Sequence, residues 1–293
     1  MSRADRGPLS TERVRSAFVA ACRAEVEALK PGNVHVHASG HGMEVAHFLA
    51  AAEAAAPYVA DLSLRPGHRI HRAVAASMAA AGCNTNLGIL LLSVPLAAAA
   101  MLASSAPLQA RVAQVLASLD ADDAGHVYAA IRLANPGGLG SSETADVNEA
   151  PTLSLIEAMR LAAPRDRIAA AYANGFRDLF EDHLGVLAAA RRQVASTPGA
   201  TGADAVTTLH MSLLARYPDS HIRRKFGFET AAHVQALAKA ARPFWHPLAS
   251  GESWPELLRL DALLKASGWN PGTTADFVVA TLLAADLEQF QAP

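Results

Sequence analysis

Apolar residues recur at helical spacing in one segment after another of this chain. In the first segment they fall on one stripe of a helix, at Val14, Phe18 and Ala21, and residues 30–32 (Lys-Pro-Gly) end the pattern. No segment shows the alternation of apolar and polar residues that is typical of a β-strand. Aromatic residues make up only 5% of the chain, so the interior must consist mainly of Ala, Leu and Val. Since Ala and Leu favour closely packed helices, the sequence predicts an all-α fold.

No linker, repeat or change of composition divides the 293 residues. We therefore expect a single compact all-α domain over residues 1–293, with a flexible segment at residues 1–10. Further helices are predicted at residues 41–60, 68–81, 87–103, 107–119, 121–133, 151–163, 165–196, 204–215, 228–241, 255–267 and 274–290.

Charge and hydropathy exclude several classes of protein. The formal charge of −2 gives no reason to expect a nucleic-acid partner. Residues 87–103 approach the length of a membrane-spanning helix, but Ser93 and Pro95 interrupt them, so we interpret them as a buried core helix. Cys22 and Cys83 form no disulfide framework, and the first residues lack the apolar core of a secretion signal. We expect a soluble cytoplasmic protein with no membrane partner.

Asn- and Gly-rich loops precede three of the predicted helices, at residues 82–88, 135–142 and 270–274, and a fourth loop lies at residues 30–34. Glycine allows backbone amides to approach a ligand closely, and the free N–H groups at the start of a helix attract anions. A single loop of this kind is typical of ordinary helix caps. Four in one chain predict a pocket for a polyanion such as a nucleotide.

Three acidic residues are candidates for the chemistry. Glu25 lies on the apolar stripe of the first helix, where an unpaired carboxylate is costly to desolvate, so a cation, a base or a metal should face it. The structural alternative places Glu25 at the helix rim, paired with an Arg. Asp146 and Asp276 follow Gly-rich loops and are candidate Mg²⁺ ligands. Their structural alternative is a cap, since Thr273 and Asp276 have the spacing of a capping box.

The basic candidates are Lys30 and residues 221–227, which include Arg223 and Arg224. Arg is shaped for bidentate contact with phosphate and Lys supplies a point charge, although most charged runs are solvated faces. His35, His37 and His41 lie close together in the sequence, and an H-x-H pair can bind zinc in a hydrolase. No H-E-x-x-H motif or Cys cluster accompanies them, which favours hydrogen-bonded histidines.

Read together, the loops resemble those of the triphosphoribosyl-dephospho-CoA synthase family. A Glu followed by Lys-Pro-Gly-x-Val, a central Gly-x-Asn-Thr-x-x-Gly and a late Pro-Gly-x-x-Ala-Asp occur in that order from about residue 20 to 285. The matching residues are Glu25, Lys30, Pro31, Gly32, Val34, Gly82, Asn84, Thr85, Gly88, Pro271, Gly272, Ala275 and Asp276. In the central loop Asn86 and Leu87 stand where well-studied members have His and Lys. The segment from Asn135 looks more like a divergent branch of archaeal and methylotroph proteins linked with one-carbon (tetrahydromethanopterin) cofactor synthesis.

The resemblance implies transfer of a 5-triphosphoribosyl group from ATP to 3′-dephospho-CoA or a related CoA-like or pterin-type precursor, with release of adenine. It implies Mg²⁺ as cofactor, with Asp276 and Asp146 as its candidate ligands and Glu25 and Asp146 as candidate catalytic carboxylates. The residues expected to bind the nucleotide are Lys30, Gly32, Asn33, Asn84, Thr85, Asn86, Gly88, Arg223, Arg224, Pro271 and Gly272. A homodimer is one arrangement that the sequence leaves open.

Two other classes remain open at this point: a metal-dependent nucleotide phosphohydrolase that uses the His35 and His37 region, and a non-catalytic helical nucleotide-binding protein. The site hypothesis makes one structural demand. Glu25, Asn84, Asp146 and Asp276 should line the same pocket.

Overall fold

The computed structural model describes residues 8–138 and 146–289. These residues form 14 α-helices and no β-strand, and the structure is 69% helical, which confirms the predicted all-α class. The helices are α1 (Thr11–Glu27), α2 (Val45–Val59), α3 (Pro66–Ala81), α4 (Leu87–Ala100), α5 (Leu108–Ala117), α6 (Ala121–Ala134), α7 (Leu155–Ala162), α8 (Arg167–Asn174), α9 (Leu184–Ser196), α10 (Gly202–Arg216), α11 (Ser220–Phe226), α12 (Phe228–Ala240), α13 (Trp254–Ala266) and α14 (Gly272–Gln289).

Side-chain caps fix where several of these helices begin. The Ser10 hydroxyl accepts the backbone N–H of Arg13 at the start of α1, and Asp120 and Ser154 begin α6 and α7 with capping boxes. Residues 1–7 of the segment predicted to be flexible lie outside the described residues. Within the rest of it, the Leu9 N–H donates to the Ala100 carbonyl, so this part of the chain is attached to the core.

The prediction of one continuous helical pattern over residues 165–196 is wrong. Helix α8 ends at Gly175, whose φ of 70° lies in the left-handed region, and Phe176 follows with a φ of 59°. A short π-helical segment, Leu179–His183, then leads into α9. Phe176 and Leu179 are fully buried, which explains why the apolar spacing continues across the break.

Helix α4 lies at the centre of the fold. Thirteen of its residues are buried, so the segment from Leu87 is a core helix as predicted. No helix in the described part of the chain is both long and apolar enough to cross a membrane. Helix α14 packs against α4, α1 and α10, and the buried apolar side chains form a large cluster around these helices and a smaller one around α10, α12 and α13. This packing brings the starts of α4 and α14 together near the end of α1.

Candidate functional site

A cavity of about 980 Å³ opens where these helix ends meet. Glu25, Asn84, Asp146 and Asp276 all line it, so the predicted convergence is observed. The other predicted site residues in its wall are Asn33, Thr85, Asn86, Gly88, Arg223, Arg224 and Gly272. Lys30, Gly32 and Pro271 are not among the lining residues. Residues 139–142 of the second loop lie outside the described residues.

Glu25 and Lys30 form a buried ion pair. Their side chains are 2% and 0% exposed, and the Lys30 Nζ donates to the Glu25 Oε1 and, at 2.9 Å, to the Asn33 Oδ1. Burial raises the pKa of Glu25, and the charge of Lys30 opposes that rise. The cation required opposite Glu25 is therefore Lys30, and the alternative of a rim carboxylate paired with an Arg is wrong. The Lys30 ammonium is therefore paired with Glu25 in the interior, and Lys30 does not line the cavity.

The Lys-Pro-Gly and Asn-Pro-Gly turns hold each other in place. The Asn33 side chain donates to the Asn270 Oδ1 at 2.8 Å, and the Gly32 N–H donates to the buried Asp261 at 2.9 Å. A Cβ added to Gly32, whose φ is +84°, would lie 2.8 Å from the Pro271 Cδ. Two motifs about 240 residues apart in sequence thus form one packing unit, which fixes Asn33 in the cavity wall.

Asp276 is the carboxylate with the fewest partners in the site. It lies in the second turn of α14, directly against Gly88, and makes no hydrogen bond or ion pair with any described residue. Burial, followed by the negative charges of Asp219 and Glu25, raises the pKa of Asp276 well above its ordinary value. Asp276 is therefore poised to accept a cation or a proton from a ligand.

The interpretation of Asp276 as a helix cap is wrong. Helix α14 begins at Gly272, and its N-terminal groups are satisfied by Asp219, whose Oδ2 accepts both the N–H and the hydroxyl of Thr274 at 2.8 Å. The other oxygen of Asp219 accepts the N–H groups of His221 and Ile222 at the start of α11. Asp219 therefore joins α11 to α14. Its place before the basic run was the one feature of Asp219 visible in the sequence.

Asp146 faces the cavity from another wall. Its Oδ1 accepts the backbone N–H and the side-chain amide of Asn148, at 2.8 and 3.0 Å. This pattern is that of an Asp that caps a turn, as the structural alternative expected. Its predicted roles as catalytic group and Mg²⁺ ligand stay predictions.

The basic run lines the cavity, where Arg223 and Arg224 are half-buried and Lys225 is exposed. Arg224 donates to the Gly137 carbonyl at 3.1 Å and pairs with Asp166 at 3.6 Å, while Arg223 donates to the Pro164 carbonyl at 3.0 Å. His221, Arg165 and Lys225 line the same wall. Arg165 is a candidate that the sequence analysis missed, because it is an isolated Arg outside every motif.

The central loop contributes mostly polar atoms. The Asn84 Oδ1 accepts the Leu87 N–H at 3.2 Å, and the Asn86 side chain donates to the Ser77 hydroxyl at 2.9 Å. The Thr85 hydroxyl is buried without a hydrogen-bond partner among the described residues. Leu87 presents an apolar side chain to the cavity.

The three clustered histidines have structural partners. His35 is buried and approaches Asp261 at 3.4 Å, and the His37 ring lies edge-on to Trp254 at a centroid distance of 4.6 Å. The His41 Nε2 donates to the Gly32 carbonyl at 2.8 Å. Within residues 8–138 and 146–289, no group of three or more His, Cys, Asp or Glu residues is arranged to hold a metal ion by itself. His41 thus contacts the turn at Gly32 directly and His35 contacts it through Asp261, in line with the interpretation of hydrogen-bonded histidines.

Comparison with known proteins gives two findings. A sequence model of the family described as ATP:dephospho-CoA triphosphoribosyl transferase matches residues 11–292. The crystal structure of a candidate triphosphoribosyl-dephospho-CoA synthase from Archaeoglobus fulgidus is similar, with a TM-score of 0.61 and 26% sequence identity over 81% of this chain and 97% of that chain. Among curated proteins, none matches the chain significantly.

Proposed function

Since the chain belongs to the ATP:dephospho-CoA triphosphoribosyl transferase family, we propose that it transfers the 5-triphosphoribosyl group of ATP to 3′-dephospho-CoA, or to a related cofactor precursor, and releases adenine. The observation that carries this proposal is the composition of one cavity. Carboxylates from α1 and α14 face it on one side and the cationic residues of α11 face it on another. The reaction needs both kinds of group, since carboxylates stabilise the positive charge at the reacting ribose carbon and cations bind the triphosphate.

The reaction replaces one bond to the ribose C1′ with another. The C1′–N9 bond to adenine breaks, the acceptor hydroxyl forms a C1′–O bond, and its proton must leave. Positive charge develops at C1′ as adenine departs, so a fixed carboxylate close to C1′ stabilises the transition state. We assign this role to Glu25, because the Lys30 ammonium and the packing of α1 fix its position.

The proton of the acceptor hydroxyl requires a second carboxylate as general base. Among the described residues, four carboxylates line the cavity, those of Glu25, Asp146, Asp166 and Asp276. Asp166 caps α8 with one oxygen and pairs with Arg224 through the other, so both of its oxygens are already engaged. Asp146 is the candidate that remains when Glu25 faces C1′ and Asp276 faces the phosphates.

Asp276 fits a Mg²⁺ ion that accompanies the triphosphate. It is a hard oxygen donor without a hydrogen-bond or ion-pair partner among the described residues, and the charges of Asp219 and Glu25 add to the negative potential around it. Mg²⁺ is usually held by one or two carboxylates together with substrate phosphates, so a complete cage of protein ligands is not required. Bound there, the ion would neutralise phosphate charge, and Asp146 is the second candidate ligand.

The test is chromatography of free adenine after incubation of the protein with ATP and Mg²⁺, with and without 3′-dephospho-CoA. We expect adenine only when an acceptor is present, and a loss of about 100-fold or more for Glu25→Gln and Asp276→Asn. Asp286→Asn is a matched control on α14, because Asp286 pairs with Arg191 and does not line the cavity. Full turnover by Glu25→Gln would remove its assignment.

One residue difference, at Leu87, bears on the identity of the acceptor. Leu87 lines the cavity with an apolar side chain, at the position where the resemblance to well-studied family members implies a Lys. This difference favours a related precursor over dephospho-CoA itself, and pterin-type precursors of one-carbon cofactors are the second candidates. Adenine release with such a precursor and none with dephospho-CoA would establish the alternative acceptor. Phosphate release from ATP without adenine would indicate a phosphohydrolase instead.

A further inference from the structure

One wall of the cavity carries more positive charge than its neighbours neutralise. Arg165, Arg223, Arg224 and Lys225 all line it. Of these, Arg224 is paired with Asp166 at 3.6 Å, and the other three make no ion pair with a described residue. Mutually repelling cations in a concave site cost free energy and concentrate anions from solution.

Other arginines of the protein show the contrast. Arg65, Arg167, Arg191 and Arg216 each pair with an Asp at 2.5 to 3.9 Å. Cations without an ion pair to a described residue also occur elsewhere, such as Arg177 and Lys239, but these two do not line the cavity. The concentration of Arg165, Arg223 and Lys225 in one cavity wall points to a ligand that supplies the missing negative charge.

The loop after α6 packs closely against α11, the helix that carries Arg223, Arg224 and Lys225. A Cβ added to Gly138, whose φ is +76°, would lie 2.9 Å from the backbone carbonyl oxygen of Arg224, and the Arg224 guanidinium donates to the Gly137 carbonyl at 3.1 Å. The loop after α6 can therefore lie this close to α11 only without a side chain at Gly138. His221, in the same wall, has an Nε2 atom that is buried without a partner among the described residues.

We infer that Arg165 and Lys225 form, with Arg223, a subsite for the terminal phosphates of the nucleotide. The triphosphate then extends along α11, and the ribose C1′ lies on the side of Glu25. This inference rests on the proposed function for the identity of the ligand. The chemistry that it requires is a polyphosphate chain, which ATP carries as a triphosphate and dephospho-CoA as a diphosphate.

Isothermal titration with three probes tests the subsite: inorganic tripolyphosphate, ATP and adenosine. The variants are Arg165→Gln and Lys225→Gln. Arg177→Gln and Lys239→Gln are the matched controls, because Arg177 and Lys239 are exposed and do not line the cavity. For each subsite variant we expect the Kd for tripolyphosphate and ATP to rise about tenfold, which corresponds to about 1.4 kcal/mol, with adenosine unaffected. The controls should stay within about twofold of the wild type.

The inference is overturned if tripolyphosphate does not bind the wild type, or if the subsite variants bind it as the controls do. It is also overturned if the variants weaken adenosine as much as ATP, since the effect would then not concern phosphate. Titration with dephospho-CoA separates the two sources: a loss confined to this ligand would refute the assignment to ATP. Adenine release tests the proposed function separately from the subsite. Tripolyphosphate can bind the wild type even if no transfer occurs, and transfer can occur even if the subsite variants bind tripolyphosphate normally.

Discussion

Removing the cation of the buried pair should destabilise the protein strongly. In Lys30→Met, Glu25 remains 2% exposed with no cation beside it, and the Asn33 Oδ1 loses its donor at 2.9 Å. Breaking a buried ion pair from one side costs about 3–5 kcal/mol, since an uncompensated charge stays in the interior. At about 2 °C per kcal/mol for a chain of this size, the melting temperature should fall by about 6–10 °C.

The double variant separates the pair from the packing. Glu25→Gln/Lys30→Met has no buried charge, so its loss of stability should be smaller than that of Lys30→Met alone. The coupling free energy of the cycle should be about 2 kcal/mol or more. Arg15→Gln is the control on the same helix, because Arg15 and Glu12 form an exposed pair at 3.9 Å, which contributes about 0–1 kcal/mol.

Urea unfolding followed by circular dichroism at several pH values provides the assay. Glu25 without its cation has a folded-state pKa raised above its unfolded value near 4.5, so the folded state of Lys30→Met binds the extra proton. Its stability should therefore fall as pH rises through that window, and its deficit should be largest at neutral pH. A deficit below about 1 kcal/mol at pH 7, or a double variant less stable than Lys30→Met, would refute the reasoning.

Three further predictions follow from single residues. Gly32→Ala should lose about 1–3 kcal/mol in urea unfolding, because the φ of +84° and the Pro271 Cδ at 2.8 Å from the new Cβ both oppose a side chain. Asp219→Asn should lose about 1–3 kcal/mol and weaken ATP binding in titration, since its amide cannot accept all four bonds, including those from Thr274. Burial lowers the pKa of His183 from 6.5 to about 4, so the unfolded state binds the proton first and stability falls as pH drops through this window. A shift of this size corresponds to about 3 kcal/mol, and His183→Gln should flatten the acid side of the unfolding profile by roughly that amount.

The fold class, the transferase class and the family were within reach of the sequence. Helical periodicity and the ordered motifs do not depend on distant contacts, and the family match over residues 11–292 confirms both the resemblance and the enzyme class. The break at Gly175 was missed because buried Phe176 and Leu179 continue the apolar spacing through it. Periodicity records which side chains are buried, and it is silent on whether the backbone between them stays helical.

The candidate site was predictable as a set of residues and less so as a set of contacts. From the sequence, Lys30 was predicted to bind phosphate and Glu25 to act in catalysis. The two residues are five positions apart, and the turn between them decides whether their side chains meet. Asp219 has a local role as the cap of α11, but its bonds to Thr274 lie 55 residues away in sequence, so no local pattern marks the link to α14. Arg165 lines the cavity only because the fold brings α7 and α11 to the same wall. The single domain over residues 1–293, the Mg²⁺ ion and the homodimer stay predictions.

Two motif glycines leave room for residues of another motif. Their predicted role, to bring backbone amides close to phosphate, stays a prediction. In the structure Gly32 lies against Pro271, and Gly88 lies against Asp276, so each leaves room for a residue of another motif. A side chain at Gly88 would overlap the Asp276 carboxylate and displace it from the cavity wall. These contacts between motifs explain why their ordered combination identifies the family better than any one of them, and the same contacts place Glu25 and Asp276 in the wall of one cavity.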